Sequence, residues 1–182
     1  MFDLADAARG PALEFVTMAL GWDPAPGRFD PGRAVADIDL NASAFLFSDQ
    51  VLFDVVFHEQ LTSKDGAVRH LGDSTTGQGD GDNEVIVADL GRLSGDVTSI
   101  VYVVTSYTGQ PLHVIDNAFC RMVDGVAGTE IVRVDLGHYA STGFVVGAVA
   151  LGDDGWRVHP IGEDISARHP SEALAHLARL MA

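Results

Sequence analysis

An all-β fold, two sheets packed as a sandwich with a short C-terminal helix, is what this sequence predicts. Apolar residues come in short runs rich in Val, Ile and Phe, and Gly, Asp and Asn interrupt them, as strands and tight turns do in sandwiches and barrels. Helix-period patterning, by contrast, is confined to the two ends of the chain.

Taken in order, Asp3 to Ala8 reads as a short helix ended by Gly10-Pro11. Strands follow at Leu13 to Gly21, Val35 to Phe47, Val51 to Phe57, Ala67 to Leu71 and Glu84 to Asp89. Five more are expected at Thr98 to Tyr107, Val114 to Val123, Thr129 to Asp135, Gly143 to Leu151 and Trp156 to Ile161. Pro24, Pro26 and Pro31, with neighbouring glycines, mark a loop after the first strand. Asp124-Gly125-Val126-Ala127-Gly128 and Asp153-Asp154-Gly155 carry hairpin chemistry and join the last two pairs of strands. From Pro170 a helix carries Leu174, Leu177, Leu180 and Met181 on one stripe. That stripe is read as packing on the sandwich, with a contact between copies of the chain as the alternative. No repeat or linker divides the sequence, so one domain over residues 1–182 is expected.

A chain of 182 residues with 47% hydrophobic content can bury a core without staples. Its net charge of −15 argues against nucleic acid and anionic lipid as partners, since both select basic surfaces. No run nears the roughly 20 apolar residues that a membrane helix needs. The N-terminus lacks the basic and apolar regions of a secretory signal, so the expected compartment is the cytoplasm and no direct membrane insertion is expected. A single cysteine, Cys120, excludes an internal disulfide or a multi-Cys metal site, and it reads as a small buried apolar residue.

The acids are distributed as turn and metal-loop chemistry rather than as helix-surface pairs. Between Gly72 and Glu84, the residues Asp73, Asp80, Asp82, Asn83 and Glu84 stand among glycines 72, 77, 79 and 81 with no cation. Calcium takes six to eight oxygens from carboxylates and backbone carbonyls, and glycine lets a chain turn its carbonyls inward. Carbonyls such as that of Gly79 thus join the acids as candidate ligands. Magnesium, which prefers a mostly hydrated octahedral site, fits less well. A phosphate cradle is rejected, because Asp80 and Asp82 would repel the anion. The EF-hand order is absent, and Gly77-Gln78-Gly79-Asp80-Gly81 occurs once, whereas calcium-binding β-helices need many copies. The competing reading is a flexible solvated turn. A second acidic element, Asp37-Ile38-Asp39-Leu40-Asn41, alternates so that Asp37, Asp39 and Asn41 share one strand face, with a solvated sheet face as the alternative.

Other constellations carry less. His58-Glu59-Gln60-Leu61-Thr62 begins like a metalloprotease helix, but Thr62 stands where the second zinc-binding His is needed. The seven histidines are scattered singly, and Trp22 and Trp156 read as core or strand-end anchors.

Gly21-Trp22-Asp23, the stretch Asp39 to Ser43, the segment Gly72 to Glu84 followed by Val85-Ile86, and later Asn117-Ala118 with Gly128 to Ile131 resemble the tellurium-resistance TerD family. The likeness runs from about residue 13 to 162. It implies a bacterial, cytoplasmic, calcium-binding β-sandwich of the tellurite and stress-resistance system. Its partners would be other proteins of that system, and no enzymatic activity is attached to it. By position, the likeness assigns Asp73, Asp80, Asp82 and Glu84 to the family's acidic loop and Asp39 to its Asp-x-Asp strand. Asn41 stands where that strand usually has a second Asp, and His58-Glu59-Gln60 replaces a usual Tyr-Asn-Asn. Glu59 is therefore expected to restore the charge missing at Asn41. The expected cofactor is Ca2+, with Asp39, Asn41, Glu59, Asp73, Gly79, Asp80, Asp82, Asn83 and Glu84 as the candidate site. The alternatives are a metal-dependent hydrolase using the same acids, or an interaction domain that has lost its metal.

Overall fold

The structure, a computed structural model, describes residues 10–180, so the expected N-terminal helix and Met181 lie outside the described residues. Ten strands form two antiparallel five-stranded sheets. They are β1 (Phe15–Gly21), β2 (Leu40–Ser48), β3 (Val51–Val56), β4 (Val68–His70), β5 (Glu84–Asp89), β6 (Ser99–Ser106), β7 (Phe119–Asp124), β8 (Glu130–Asp135), β9 (Gly143–Gly152) and β10 (Gly155–Ile165). One sheet has the order β4-β5-β1-β7-β8 and the other β10-β9-β6-β2-β3. A helix, α1 (Pro170–Leu180), follows the last strand.

Burial explains the two kinds of apolar run. Between the sheets lies a core that includes Met18, Leu20, Trp22, Leu46, Ile86 and Tyr102. Outside the β2-containing sheet, Ala173 and Leu177 of α1 cover Phe45, Phe47, Val101 and Val145. That sheet is thus apolar on both faces, and β6 and β9 read as unbroken apolar stretches. β5 and β7 face the core on one side only and alternate strictly. The stripe on α1 therefore packs on the sheet. In β7 the alternation buries Cys120, and burial pushes its thiol up to about 12, which makes it a poor nucleophile at neutral pH.

Most expected ends hold to within two residues, but two strands start five residues late, at 40 for 35 and at 119 for 114. β2 starts at Leu40, and residues 35–39 form irregular chain, with Asp37 paired to Arg28 and the Asp39 N–H given to Thr108 Oγ1. Nor is the face shared by Asn41 and Ser43 solvated, because both residues are buried. Likewise, β7 starts at Phe119. Leu112–Val114 makes a 3-10 turn, and Asn117 takes φ 52°, a left-handed conformation that ends extended pairing.

Candidate metal centre

The Gly72–Glu84 segment is anchored at both ends. Its last residue, Glu84, opens β5 opposite Leu20 of β1, on the face between the sheets. Its side chain is fully buried and crosses to β2, where Oε2 accepts from the Ala42 N–H at 2.7 Å. β3 pairs with β2 only from Ala44 onward, so the Ala42 amide lies beyond the end of that ladder. His70, on β4, donates from Nε2 to the same oxygen at 3.2 Å, while its Nδ1 accepts from the Gly72 N–H. The Gly72 contact assigns the tautomer with the proton on Nε2. Glu84 Oε1 accepts from the Ser74 N–H. Desolvation raises the Glu84 pKa above the ordinary value, and the His70 and amide hydrogen bonds oppose the rise.

Asp39 lies within the field of Glu84 and Asp73. Burial first, then the charges of Asp73 and Glu84, push its carboxyl up to about 6, against a lowering hydrogen bond from Asn41. Asn41 Nδ2 donates to Asp39 Oδ1 at 3.0 Å, and the buried Asn41 Oδ1 receives no hydrogen bond from the described residues. The oxygens of Asp39, Asp73 and Glu84 do not all lie within 4.8 Å of one another, but Asp39 and the unpartnered buried Asn41 oxygen are donors that a hard cation would satisfy.

Asp39 makes stability depend on pH. The folded state holds the Asp39 proton more tightly than the unfolded chain, so losing that proton favours unfolding. In cation-free buffer, the contribution of Asp39 is expected to fall as pH rises from about 4 through about 6. Melting curves of the wild type and Asp39→Asn across that range check this. The wild type should lose ground to the variant with rising pH, and parallel curves would contradict the assignment.

The remaining loop residues separate by role. Asp82 is held by Arg121 of β7 through two bonds, at 3.0 Å from Nε and 2.6 Å from Nη2. Asn83 Oδ1 accepts from the Trp22 N–H at 2.8 Å, and its Nδ2 donates to the carbonyls of Gly77 and Gly79. Both residues clasp the loop. Asp80 and Gly79 are exposed at its tip. Glu59 lies elsewhere in the pattern, with a carboxylate oxygen within 4.8 Å of ring nitrogens of His58 and His169. His70 and Arg121 were not singled out from the sequence. For His70 the signal was present: counting by twos from Val68 turns it inward.

The motif around Trp22 completes the clasp. The Trp22 indole donates to the Ile38 carbonyl at 3.0 Å, and Asn117 donates to Asp23 at 2.6 Å. Gly21 lies so close to the loop that a Cβ there would stand 2.3 Å from the Gly81 oxygen.

A family model described as the TerD domain matches residues 2–178. The chain belongs to the TerD family. It is 36% identical over 162 residues to tellurium resistance protein TerZ of Serratia marcescens, with 86% of this chain and 83% of that protein covered. To general stress protein 16U of Bacillus subtilis it is 31% identical, with 84% and 81% covered. The crystal structure of a homologue of telluride resistance protein TerD from Streptomyces coelicolor A3(2) has the same fold. Its TM-score is 0.78 at 19% identity, and 93% of this chain and 98% of that chain are covered. Trp22, Asp82, Asn83 and Glu84, which lie in the stretches that carry the resemblance, thus clasp the loop to β1, β2 and β7.

Proposed function

We infer that this TerD-family chain is a calcium-binding module of a bacterial tellurite and stress-resistance system, acting in the cytoplasm as a non-catalytic scaffold for other proteins of that system. The names of its relatives support the physiological setting. The observation that carries the metal reading is Asn41, whose buried Oδ1 has no donor among the described residues, beside Asp39, a half-buried carboxyl within the field of Asp73 and Glu84. Calcium would offset the burial and, after it, the repulsion that raise Asp39, and would give Asn41 a partner. Asp80 and the Gly79 carbonyl extend the oxygen set at the loop tip, while Asp82 and Asn83 hold the loop in shape.

Gly79 and Gly81 of the same loop line a cleft of about 440 Å3 together with Trp22, Asp23, Asn117 and Arg133. An ion that orders the loop therefore also orders one wall of a surface available to a partner.

Thermal unfolding with calcium and with chelator tests the reading. A ligand that binds only the folded state stabilises it by about 2.7 kcal/mol at a hundredfold excess over its dissociation constant. For a chain of this size that is a rise in midpoint of roughly 5–10 °C. Magnesium should produce less, and Asp39→Asn should reduce the calcium response. Equal midpoints in calcium and in chelator would sink the proposal.

A further inference from the structure

The near-miss at His58-Glu59 is completed by the fold. Thr62 cannot supply the second imidazole that a metalloprotease helix places four residues on, but α1 brings His169 to the end of β3 instead. One ligand atom from each of His58, Glu59 and His169 lies within 4.8 Å of the other two, and this is the one such group among the described residues. We propose that His58, Glu59 and His169 form a second metal site, for a divalent transition ion of the zinc class, separate from the acidic loop.

The donor set makes the choice of ion. Two imidazoles and one carboxylate suit zinc and its first-row neighbours, whereas calcium takes oxygen ligands almost exclusively. Zinc bonds of about 2.0–2.1 Å in a tetrahedron put ligand atoms roughly 3.4 Å apart, a separation that side-chain rotation reaches from the observed spread. Each imidazole also has a nitrogen to give. His58 Nδ1 is buried and has no hydrogen-bond partner among the described residues. His169 Nδ1 lies 2.9 Å from Ser171 Oγ and accepts from the Ser171 N–H at 3.2 Å, which orients the ring; ligation through Nε2 requires the ring proton to move to Nδ1, where Ser171 Oγ can accept it and the N–H contact is given up.

Aromatic rings surround the two imidazoles. The two imidazoles cross edge to face at 5.9 Å, and Phe57 and Tyr107 flank them. The nearby Arg168 directs its side chain to the Tyr107 carbonyl. With three protein ligands, the fourth position is left to water. The ion would tie the first turn of α1 to the end of β3, adding a metal clamp to the apolar contacts of Ala173 and Leu177.

Isothermal titration of metal-stripped protein with zinc, in buffer already saturating in calcium, tests the site. One equivalent should bind, be resistant to millimolar calcium, and weaken tenfold or more in either His58→Asn or His169→Asn. The calcium-induced rise in melting temperature, measured on the same variants, should be unchanged, so failure here is distinguishable from failure of the calcium reading. Zinc binding that survives the double substitution, or no binding at all, overturns the proposal. Should a variant not fold, cobalt(II) added to the wild type decides. Intense ligand-field absorption is expected from a four-coordinate, nitrogen-ligated ion, and the weak spectrum of aqueous cobalt would overturn it.

Discussion

Glu84→Ala is expected to lower the free energy of unfolding by about 2–4 kcal/mol, the cost of leaving buried donors without their acceptor. The substitution leaves the Ala42 and Ser74 amides and His70 Nε2 without their acceptor. Two of these donors are deeply buried, and an unsatisfied buried donor costs about 1–3 kcal/mol. Desolvation, which raises the Glu84 pKa, opposes these contacts, so the net loss is smaller than the sum of the three bonds. Because Glu84 links β5 to β2, the loss falls on the joint between the two sheets. Urea unfolding should show an earlier midpoint with an unchanged slope. Glu84→Gln should cost less: its oxygen can serve Ala42 and His70, although its amide then faces the Ser74 donor. A Glu84→Ala protein within 1 kcal/mol of the wild type would refute this account. The same substitution removes one of the charges that raise Asp39, so the Asp39 carboxyl should move down toward the ordinary range.

How far the sequence could be read follows from which contacts are local. Glu84–Asp89 was legible to the residue because strict alternation and a glycine-rich stretch bound it. The Pro170 start of α1 was equally legible, and so was the turn at Asp153-Asp154, although its strands run to Gly152 and from Gly155 to Ile165, past the expected bounds. Residues 35–39 were misread as strand because their alternation is genuine, while their hydrogen bonds go to Trp22, Arg28 and Thr108 from distant segments. The acidic loop stood out by composition, but composition could not separate a carboxylate facing a cation from one facing Arg121. Nor could it show that the side chain of Asn83 is spent on Trp22 and two glycine carbonyls. The histidines read as solitary because spacing along the chain says nothing of the meeting of β3 with α1.

Gly77→Ala is expected to cost about 3 kcal/mol and to weaken calcium binding more than its place in the middle of a loop suggests. Gly77 is buried and takes φ 70°, a conformation that costs a residue with a Cβ about 1–2 kcal/mol. The added methyl would also stand 2.4 Å from Trp22 Nε1 and 2.8 Å from the Trp22 backbone oxygen. Overpacking of this kind typically costs a further 1–3 kcal/mol. Relief by moving Trp22 is restricted, because its indole N–H holds the Ile38 carbonyl and its backbone N–H holds Asn83. The loop must therefore shift, and the Gly77 and Gly79 carbonyls leave the Asn83 amide. Gly81→Ala is the control: its φ is 80°, yet a Cβ there meets nothing within 4 Å. It should carry the backbone strain alone and lose about 1–2 kcal/mol. Chemical unfolding and calcium titration of the two variants separate the effects. If Gly77→Ala were no worse than Gly81→Ala in both measurements, the contact between Trp22 and Gly77 would not hold the loop in place.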